Sequence, residues 1–226
     1  MRTRVKICGI TRIEDLTAAV DAGADAIGLV FYPGSARAVT IQTANQLLAV
    51  VPPFVSTVGL FVNADAALVR ETLETLNLDI LQFHGDEDAA YCMQFRRPWI
   101  KALRVSAGVN LLEYAEHYKS ASGLLLDADV VGFGGGGKTF DWSLIPAELA
   151  RHFILSGGLS AENVGDAVRR IRPWGVDVSS GVEALDGKSK GIKDANRIRQ
   201  FVAEVTLADS DLNMKADHNA NAGYVL

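Results

Sequence analysis

The last predicted strand of the chain and the loop after it read Gly175-Val176-Asp177-Val178-Ser179-Ser180-Gly181-Val182-Glu183. A short apolar, β-branched run that ends in serine and glycine is typical of a buried strand followed by a tight loop. The same arrangement occurs earlier, at Ser156-Gly157-Gly158 and at Cys8-Gly9. Segments with helical periodicity separate these runs, which indicates a chain that alternates between strand and helix.

Eight segments of the chain are predicted strands: Val5–Cys8, Ala26–Phe31, Phe54–Val62, Asp79–Phe83, Trp99–Val105, Gly123–Ala128, His152–Ser156 and Gly175–Ser179. Strand–helix alternation predicts a parallel sheet, and eight units are enough to close it into a barrel. The competing architecture is an open, doubly wound sheet. Glycine-rich loops follow the first, sixth, seventh and eighth strands, so they spread around a ring rather than gather at one switch point. We therefore predict an α/β protein with a single (β/α)₈ barrel over residues 1–206.

Amphipathic segments between the strands are predicted helices: Arg12–Ala22, Thr40–Val51, Asp65–Leu76, Asp86–Arg97, Ala161–Ile171 and Lys193–Thr206. The sixth unit offers only Trp142–Leu149, which Pro146 interrupts. Residues 207–226 are polar, rich in Asp and Asn, and without periodicity, so they are predicted to form a disordered C-terminal tail.

The composition excludes several classes of function. The net charge is −5 and the chain has no basic run, so we expect no nucleic-acid partner. No apolar run approaches the roughly 18 residues of a membrane span, and the N-terminus lacks a secretory leader, so we expect a cytoplasmic protein without a membrane partner. Nothing in the sequence specifies an oligomer, and a monomer is the working expectation.

Catalytic side chains in a barrel lie at the carboxyl ends of the strands. Lys6 and Cys8 share a face of the first strand. An ammonium beside a thiol favours the thiolate, so Cys8 is a candidate base or nucleophile as well as a candidate small core residue. Asp127 ends a run of three leucines, and a carboxyl group that is desolvated in this way can act as an acid near neutral pH.

Other strand ends carry candidate binding residues. Arg37 follows the second strand in a Pro-Gly loop and could bind a carboxylate with its forked donors. His84 ends the fourth strand on the same face as Gln82, and we expect a substrate contact rather than a catalytic base. Asp177, on the last strand, should point either toward the substrate or toward Lys6.

The loops after the seventh and eighth strands are predicted to bind a phosphate. Glycine permits close approach of the backbone, and N–H groups in these two loops of a barrel often bind phosphate. The candidate residues are Gly157, Gly158, Ser180 and Gly181.

A glycine-rich stretch after the sixth strand, Gly132 to Thr139, matches the spacing of a nucleotide-binding P-loop. A P-loop normally follows the first strand of an open sheet and begins a long helix. Here the stretch follows the sixth of eight strands and precedes Pro146, so a mobile lid is the favoured interpretation.

These motifs resemble the phosphoribosylanthranilate isomerase family. The matching stretches are Lys6–Thr11, Val58–Asn63, Leu81–Gly85, Gly136–Trp142, Ser156–Leu159 and Asp177–Glu183. They run from the first strand to the last and so cover the chain to about Thr206.

The resemblance implies an Amadori rearrangement in tryptophan biosynthesis, without metal or organic cofactor. N-(5′-phosphoribosyl)anthranilate would become 1-(2-carboxyphenylamino)-1-deoxyribulose 5-phosphate. It implies Cys8 as general base, Asp127 as general acid and Arg37 as the contact for the anthranilate carboxylate. The family usually has Gly-Thr-Gly in the lid where this chain has only glycines, at Gly134–Gly137.

Three other functions compete with this interpretation. An indole-glycerol-phosphate synthase would need a catalytic lysine and a glutamate pair at other strand ends, and would leave Cys8 and Asp127 unexplained. A P-loop protein would bind ATP with magnesium. A non-catalytic metabolite-binding barrel would tolerate loss of Cys8.

Overall fold

The computed structural model describes residues 2–106, 108–128, 139–149, 153–185 and 190–222. The predicted barrel is confirmed: the strands are β1 Arg4–Cys8, β2 Ala26–Val30, β3 Ser56–Phe61, β4 Ile80–Phe83, β5 Trp99–Val105, β6 Gly123–Ala128, β7 Phe153–Leu155 and β8 Gly175–Val178. They form one closed barrel in sequence order, with every pairing parallel. All the strands therefore end at the same face, where their loops meet.

The register between strands determines which side chains become neighbours. The ring closes where β1 pairs with β8, and this pairing places Lys6 opposite Asp177. On the other side of β1, Cys8 lies opposite Gly28 of β2. Residues two apart on a strand share a face, so Lys6 and Cys8 point the same way. The pairing of the first and last strands therefore brings Lys6 and Asp177 together beneath the face where the loops meet.

The barrel interior is apolar at one level and polar at the next. Ile100, Ala102, Leu125 and Ile154 form a buried cluster from three neighbouring strands. Asp127 lies two residues beyond Leu125 on β6, so it projects from the same face one layer closer to the loops. The apolar layer closes the barrel from below and leaves the polar layer as the floor of an open site.

Helices surround the sheet: α1 Ile13–Asp21, α2 Ile41–Leu48, α3 Ala66–Thr75, α4 Ala89–Met93, α5 Leu111–His117, α6 Ala161–Ile171 and α7 Ala195–Ala222. The described part of the β6–β7 connection holds two short 3₁₀ helices, Trp142–Leu144 and Ala147–Leu149, as expected from Pro146. Within the described ranges, no helix is both long and apolar enough to cross a membrane.

Helix α4 is shorter than predicted because its first acids are used elsewhere. The Glu87 carboxylate accepts hydrogen bonds from the backbone N–H of Asn63 (2.7 Å) and of Gly85 (2.9 Å), and it pairs with buried Lys101 at 3.0 Å. Asp88 instead caps the helix by accepting from Tyr91 N–H at 2.7 Å. The acids that would begin a longer helix instead join the loops that follow β3 and β4.

The prediction that residues 207–226 form a disordered tail is wrong for its described part. Helix α7 continues to Ala222, and Ala208 and Asp209 are buried. The buried positions Ile198, Phe201, Val205 and Ala208 follow one another at intervals of three or four, which is the spacing of one helix face. The Asp- and Asn-rich composition concealed this stripe, which extends the barrel beyond 206.

Asp209 ties this helix to the start of β1. Its carboxylate accepts from the Thr3 backbone N–H at 2.6 Å and from the Thr3 hydroxyl at 2.8 Å, and both residues are buried. We expect Asp209→Ala to lower the free energy of unfolding by about 1–3 kcal/mol, because a buried N–H loses its acceptor. Urea unfolding would measure this loss. Asp211→Ala, which breaks a half-exposed pair with Arg169, should change stability by no more than about 1 kcal/mol; equal effects of the two substitutions would contradict the assignment.

Candidate active site

One pocket at the carboxyl end of the strands contains most of the predicted site residues. It encloses about 670 Å³ of free space, including its open mouth. Its lining combines the predicted Cys8, Arg37, His84, Asp127, Gly157, Gly158, Asp177 and Ser180 with Val30, Tyr32, Ser35, Leu60, Val62, Gln82, Ser156, Leu159, Val178 and Ser179. Gly181, the remaining predicted residue, lies behind the lining and packs on the backbone of Leu159.

Cys8 lies on the floor of this pocket above a buried ion pair. Lys6 Nζ is 2.7 Å from Asp177 Oδ1, and Ser156 Oγ donates to Asp177 Oδ2 at 3.3 Å. Of the two orientations considered for Asp177, the structure has the one toward Lys6. Burial opposes the Lys6 charge, but Asp177 holds the pKa of Lys6 above its ordinary value. The cation beside Cys8 is therefore already paired.

This pairing corrects the expected effect of Lys6 on the thiol. Burial raises the pKa of Cys8; the Lys6 charge lowers it, but the Asp177 charge raises it again. The net effect is to raise the pKa of Cys8, so the thiol is favoured over the thiolate. Gly28 on the neighbouring strand makes room for the Cys8 side chain, because a Cβ at this position would lie only 2.8 Å from Cys8 Sγ.

Asp127 faces the pocket and is held by two neighbours. Its Oδ1 accepts from the backbone N–H of Ala128 at 2.9 Å, and its Oδ2 lies 3.1 Å from His84 Nε2. His84 Nδ1 lies in turn 3.0 Å from Gln82 Nε2. Where the Gln82 amide donates to Nδ1, the imidazole has its N–H at Nε2 and donates a hydrogen bond to Asp127 Oδ2. His84 therefore orients the carboxyl group of Asp127, a role that the sequence did not indicate.

The loops after β7 and β8 require glycine at specific positions. Gly157 and Gly158 have φ of 81° and 64°, the left-handed region that favours glycine. A Cβ at Gly157 would lie 2.4 Å from the nitrogen of Ala128, and one at Gly181 would lie 1.8 Å from the Leu159 carbonyl oxygen. The two loops therefore pack directly against each other. Among the described residues, none accepts a hydrogen bond from the backbone N–H of Gly158, Ser180 or Gly181.

Arg37 enters the pocket from the loop after β2 and is paired with Glu183. Arg37 Nε donates to Glu183 Oε1 at 2.6 Å and Nη2 donates to Oε2 at 3.0 Å. Lys193 Nζ contacts the same Oε1 at 3.1 Å. Both contacts with Glu183 use one edge of the planar guanidinium, which leaves the Nη1 side directed away from Glu183.

No role was predicted from sequence for several polar residues of this site. Gln82 shares a face with the candidate His84, and Ser156 and Glu183 belong to the matching motifs, but none of the three was a candidate site residue. Lys193 was predicted only as the start of a helix, although its ammonium is fully buried beside Glu183. Their position in the sequence could have indicated Ser156 and Glu183 as site residues. Both lie next to the glycines of the loops that are predicted to bind a phosphate.

The described residues contain no group of three or more His, Cys, Asp or Glu side chains that could hold a metal ion. The P-loop-like stretch, from Gly132 to Lys138, lies outside the described residues. The choice between a lid and a nucleotide site therefore stays a prediction from sequence.

The fold is that of the (β/α)₈-barrel enzymes, and its pocket lies at the carboxyl ends of the strands, where such enzymes have their active sites. Residues 5–204 match the family model described as N-(5′-phosphoribosyl)anthranilate (PRA) isomerase. The chain belongs to this family, as its motifs suggested.

Individual relatives agree with this assignment. The chain is 59% identical over 212 residues to an N-(5′-phosphoribosyl)anthranilate isomerase of Dechloromonas aromatica, covering 94% of this chain and all of the relative. Its fold is similar to the crystal structure of phosphoribosyl anthranilate isomerase from Thermotoga maritima (TM-score 0.80, 42% identity, covering 90% of this chain and 98% of that one). A crystal structure of a phosphoribosyl anthranilate isomerase in complex with reduced 1-(o-carboxyphenylamino)-1-deoxyribulose 5-phosphate has a TM-score of 0.77 at 40% identity, covering 90% of this chain and 98% of that one.

Proposed function

We propose that this barrel converts N-(5′-phosphoribosyl)anthranilate into 1-(2-carboxyphenylamino)-1-deoxyribulose 5-phosphate, an isomerisation in tryptophan biosynthesis. The observation that carries the proposal is one pocket that holds a thiol, a carboxyl group, an arginine and two glycine loops. Each matches one requirement of the substrate: proton removal, proton donation, the ring carboxylate and the phosphate. The direct test is rescue of a strain that lacks this isomerase, by the wild-type chain and not by Cys8→Ser.

The rearrangement needs two proton movements on one substrate. Asp127 would protonate the furanose ring oxygen, so that the bond from that oxygen to C1′ breaks and a cationic Schiff base forms. Cys8 would then remove the proton from C2′, giving an enolamine that tautomerises to the ketone. The cationic nitrogen accepts the electron pair from the C2′–H bond, so this step calls for no metal or organic cofactor.

Formation of the thiolate is proposed to follow ring opening. The positive charge of Lys6 is paired with Asp177, and burial favours the protonated thiol of Cys8. Proton donation by Asp127 leaves an aspartate anion and a cationic Schiff base, whose carbon is bonded to C2′, the carbon from which Cys8 removes the proton. Opposite charge nearby favours the ionised form of a thiol, so the Schiff-base cation would favour the thiolate as the sulfur approaches C2′.

The phosphate is proposed to bind to the backbone N–H groups of Gly158, Ser180 and Gly181. These groups lie in the two loops that pack against each other, and the described residues supply them with no acceptor. We expect inorganic phosphate to compete with the substrate, and we expect Gly158→Ala to weaken its inhibition. The inhibition constant of phosphate measures this effect. Unchanged inhibition by a folded Gly158→Ala enzyme would place the phosphate elsewhere, with residues 134–138 as the next candidate.

Arg37 is proposed to bind the anthranilate carboxylate. Its side chain lines the pocket, and the Nη1 side of its guanidinium is directed away from Glu183. Arg37→Lys should raise KM more than it lowers kcat, because a lysine keeps the charge but loses the planar pair of donors. Steady-state kinetics separates the two parameters, and an unchanged KM would contradict the assignment.

The enzyme is also proposed to act as a monomer in the cytoplasm. The reactive groups of the pocket, from Cys8 to Asp127 and Arg37, all come from one chain, which supports activity as a monomer. Cys8 and Cys92 are both free and buried, which is compatible with the reducing environment of the cytoplasm.

A further inference from the structure

Arg37, Glu183 and Lys193 form a buried cluster of charged side chains next to the pocket. Glu183 lies between two cations, with Arg37 on both of its oxygens and Lys193 on Oε1. The side chains of Arg37, Glu183 and Lys193 are 12%, 8% and 0% exposed. Burial would raise the pKa of Glu183, but hydrogen bonds and charges from Arg37 and Lys193 hold it below the ordinary value. Glu183 is therefore ionised at neutral pH.

The cluster is one negative charge short of balance. It contains two cations and one carboxylate, and burial lowers the pKa of Lys193 in spite of Glu183. A further acid, Asp15, accepts a hydrogen bond from the Lys193 backbone N–H at 3.1 Å and not from its ammonium. A buried excess of positive charge is stabilised by an anion that binds beside it. The open side of the cluster is Arg37, which faces the pocket.

The cluster also fixes the backbone around the site. Lys193 Nζ donates to the carbonyl oxygen of Ser179 at 3.0 Å and contacts its hydroxyl at 3.2 Å. The same hydroxyl donates to the carbonyl oxygen of Cys8 at 3.0 Å. Gly9 leaves room for the arginine stem, since a Cβ there would lie 2.6 Å from Arg37 Cδ. The arginine is thus held at one end by its loop and at the other by Glu183, which Lys193 contacts in turn.

We propose that Glu183 and Lys193 are positioning residues for Arg37 in carboxylate recognition. Glu183 occupies one edge of the guanidinium and turns the other toward the substrate. Lys193 holds Glu183 in place and adds the positive charge that the substrate carboxylate balances. This inference rests on the proposed contact between Arg37 and the anthranilate carboxylate, and it makes substrate selectivity a property of three residues instead of one.

The experiment compares two ligands that differ only in the carboxylate. One is reduced 1-(o-carboxyphenylamino)-1-deoxyribulose 5-phosphate, and the other is the same compound without the ring carboxylate. Their Kd values are measured by calorimetry for wild type, Arg37→Met, Glu183→Gln and Lys193→Met. Asp211→Asn, at a half-exposed ion pair between α7 and α6, is the matched control and should leave both values unchanged.

We expect Glu183→Gln and Lys193→Met to weaken binding of the carboxylate ligand by about 10–100-fold, the scale of one lost charged hydrogen bond. Binding of the ligand without the carboxylate should change much less. Lys193→Arg keeps the charge and should restore part of the preference. Glu183→Gln is nearly isosteric, so it carries the test even where Lys193→Met does not fold.

Three results would overturn the inference, and they are distinguishable. Equal weakening of both ligands in Glu183→Gln would mean that the cluster only supports the fold of the loop after β8. If Arg37→Met kept the preference for the carboxylate, the proposed contact of Arg37 itself would be wrong. A collapse of the preference in Arg37→Met together with an intact preference in Glu183→Gln and Lys193→Met would retain the Arg37 contact and reject the positioning roles.

Discussion

Replacing Cys8 with serine is expected to lower kcat by roughly 10²–10⁴-fold, the range for loss of one positioned base. A hydroxyl occupies nearly the same space as a thiol but does not ionise at neutral pH, so removal of the C2′ proton should fail while the fold persists. Steady-state kinetics together with thermal unfolding measures the effect. Near-normal turnover by a folded Cys8→Ser enzyme would exclude the thiolate mechanism and make His84 the next base to test.

The ionisation of Cys8 can be measured directly. Since burial raises the pKa of this thiol, the thiolate increases only as the pH rises past the ordinary value for cysteine, about 8.5. The rate of alkylation by iodoacetamide in the substrate-free enzyme should therefore reach half its maximum above that pH. Cys8→Ser reports the background from Cys92, whose pKa burial raises to about 12. A half-maximum below pH 8 would show that Lys6 does activate the thiol.

Asp127→Asn should have an effect of similar size, roughly 10²–10⁴-fold on kcat. An amide keeps the shape of the side chain and its contact with Ala128, but it has no proton of suitable acidity for the ring oxygen. Steady-state kinetics measures the loss, and thermal unfolding checks that the variant is folded. If the folded variant kept most of its activity, Asp127 would not be the acid.

The architecture could be predicted because its signals are local. Each strand is a short apolar run with a turn residue after it, and each helix has its own periodicity, so the alternation can be counted without knowing any long-range contact. The exception was the end of α7. There the helical stripe through Val205 and Ala208 is carried partly by an alanine among acids and asparagines, so composition concealed it.

The site was predictable only in part, for a related reason. A spacing of two residues on one strand placed Lys6 beside Cys8 and Gln82 beside His84, and both pairs share a face as expected. The neutralisation of Lys6 by Asp177 depends on the register between the first and last strands, which no local pattern encodes. Lys193 follows a loop and precedes a helix, so nothing in its neighbourhood indicates that it reaches Glu183.

The pairing of β1 with β8 also determines when the enzyme can become active during synthesis. Cys8 is among the first residues made, whereas Asp177, Ser179 and Lys193, which complete its surroundings, emerge from the ribosome some 170 residues later. A nascent chain that has formed seven strands already carries its thiol and its acid but lacks the loop after β8 and the cluster around Arg37. Catalytic activity regained during refolding therefore requires closure of the ring by β8, whereas circular dichroism reports the helices and strands as a whole.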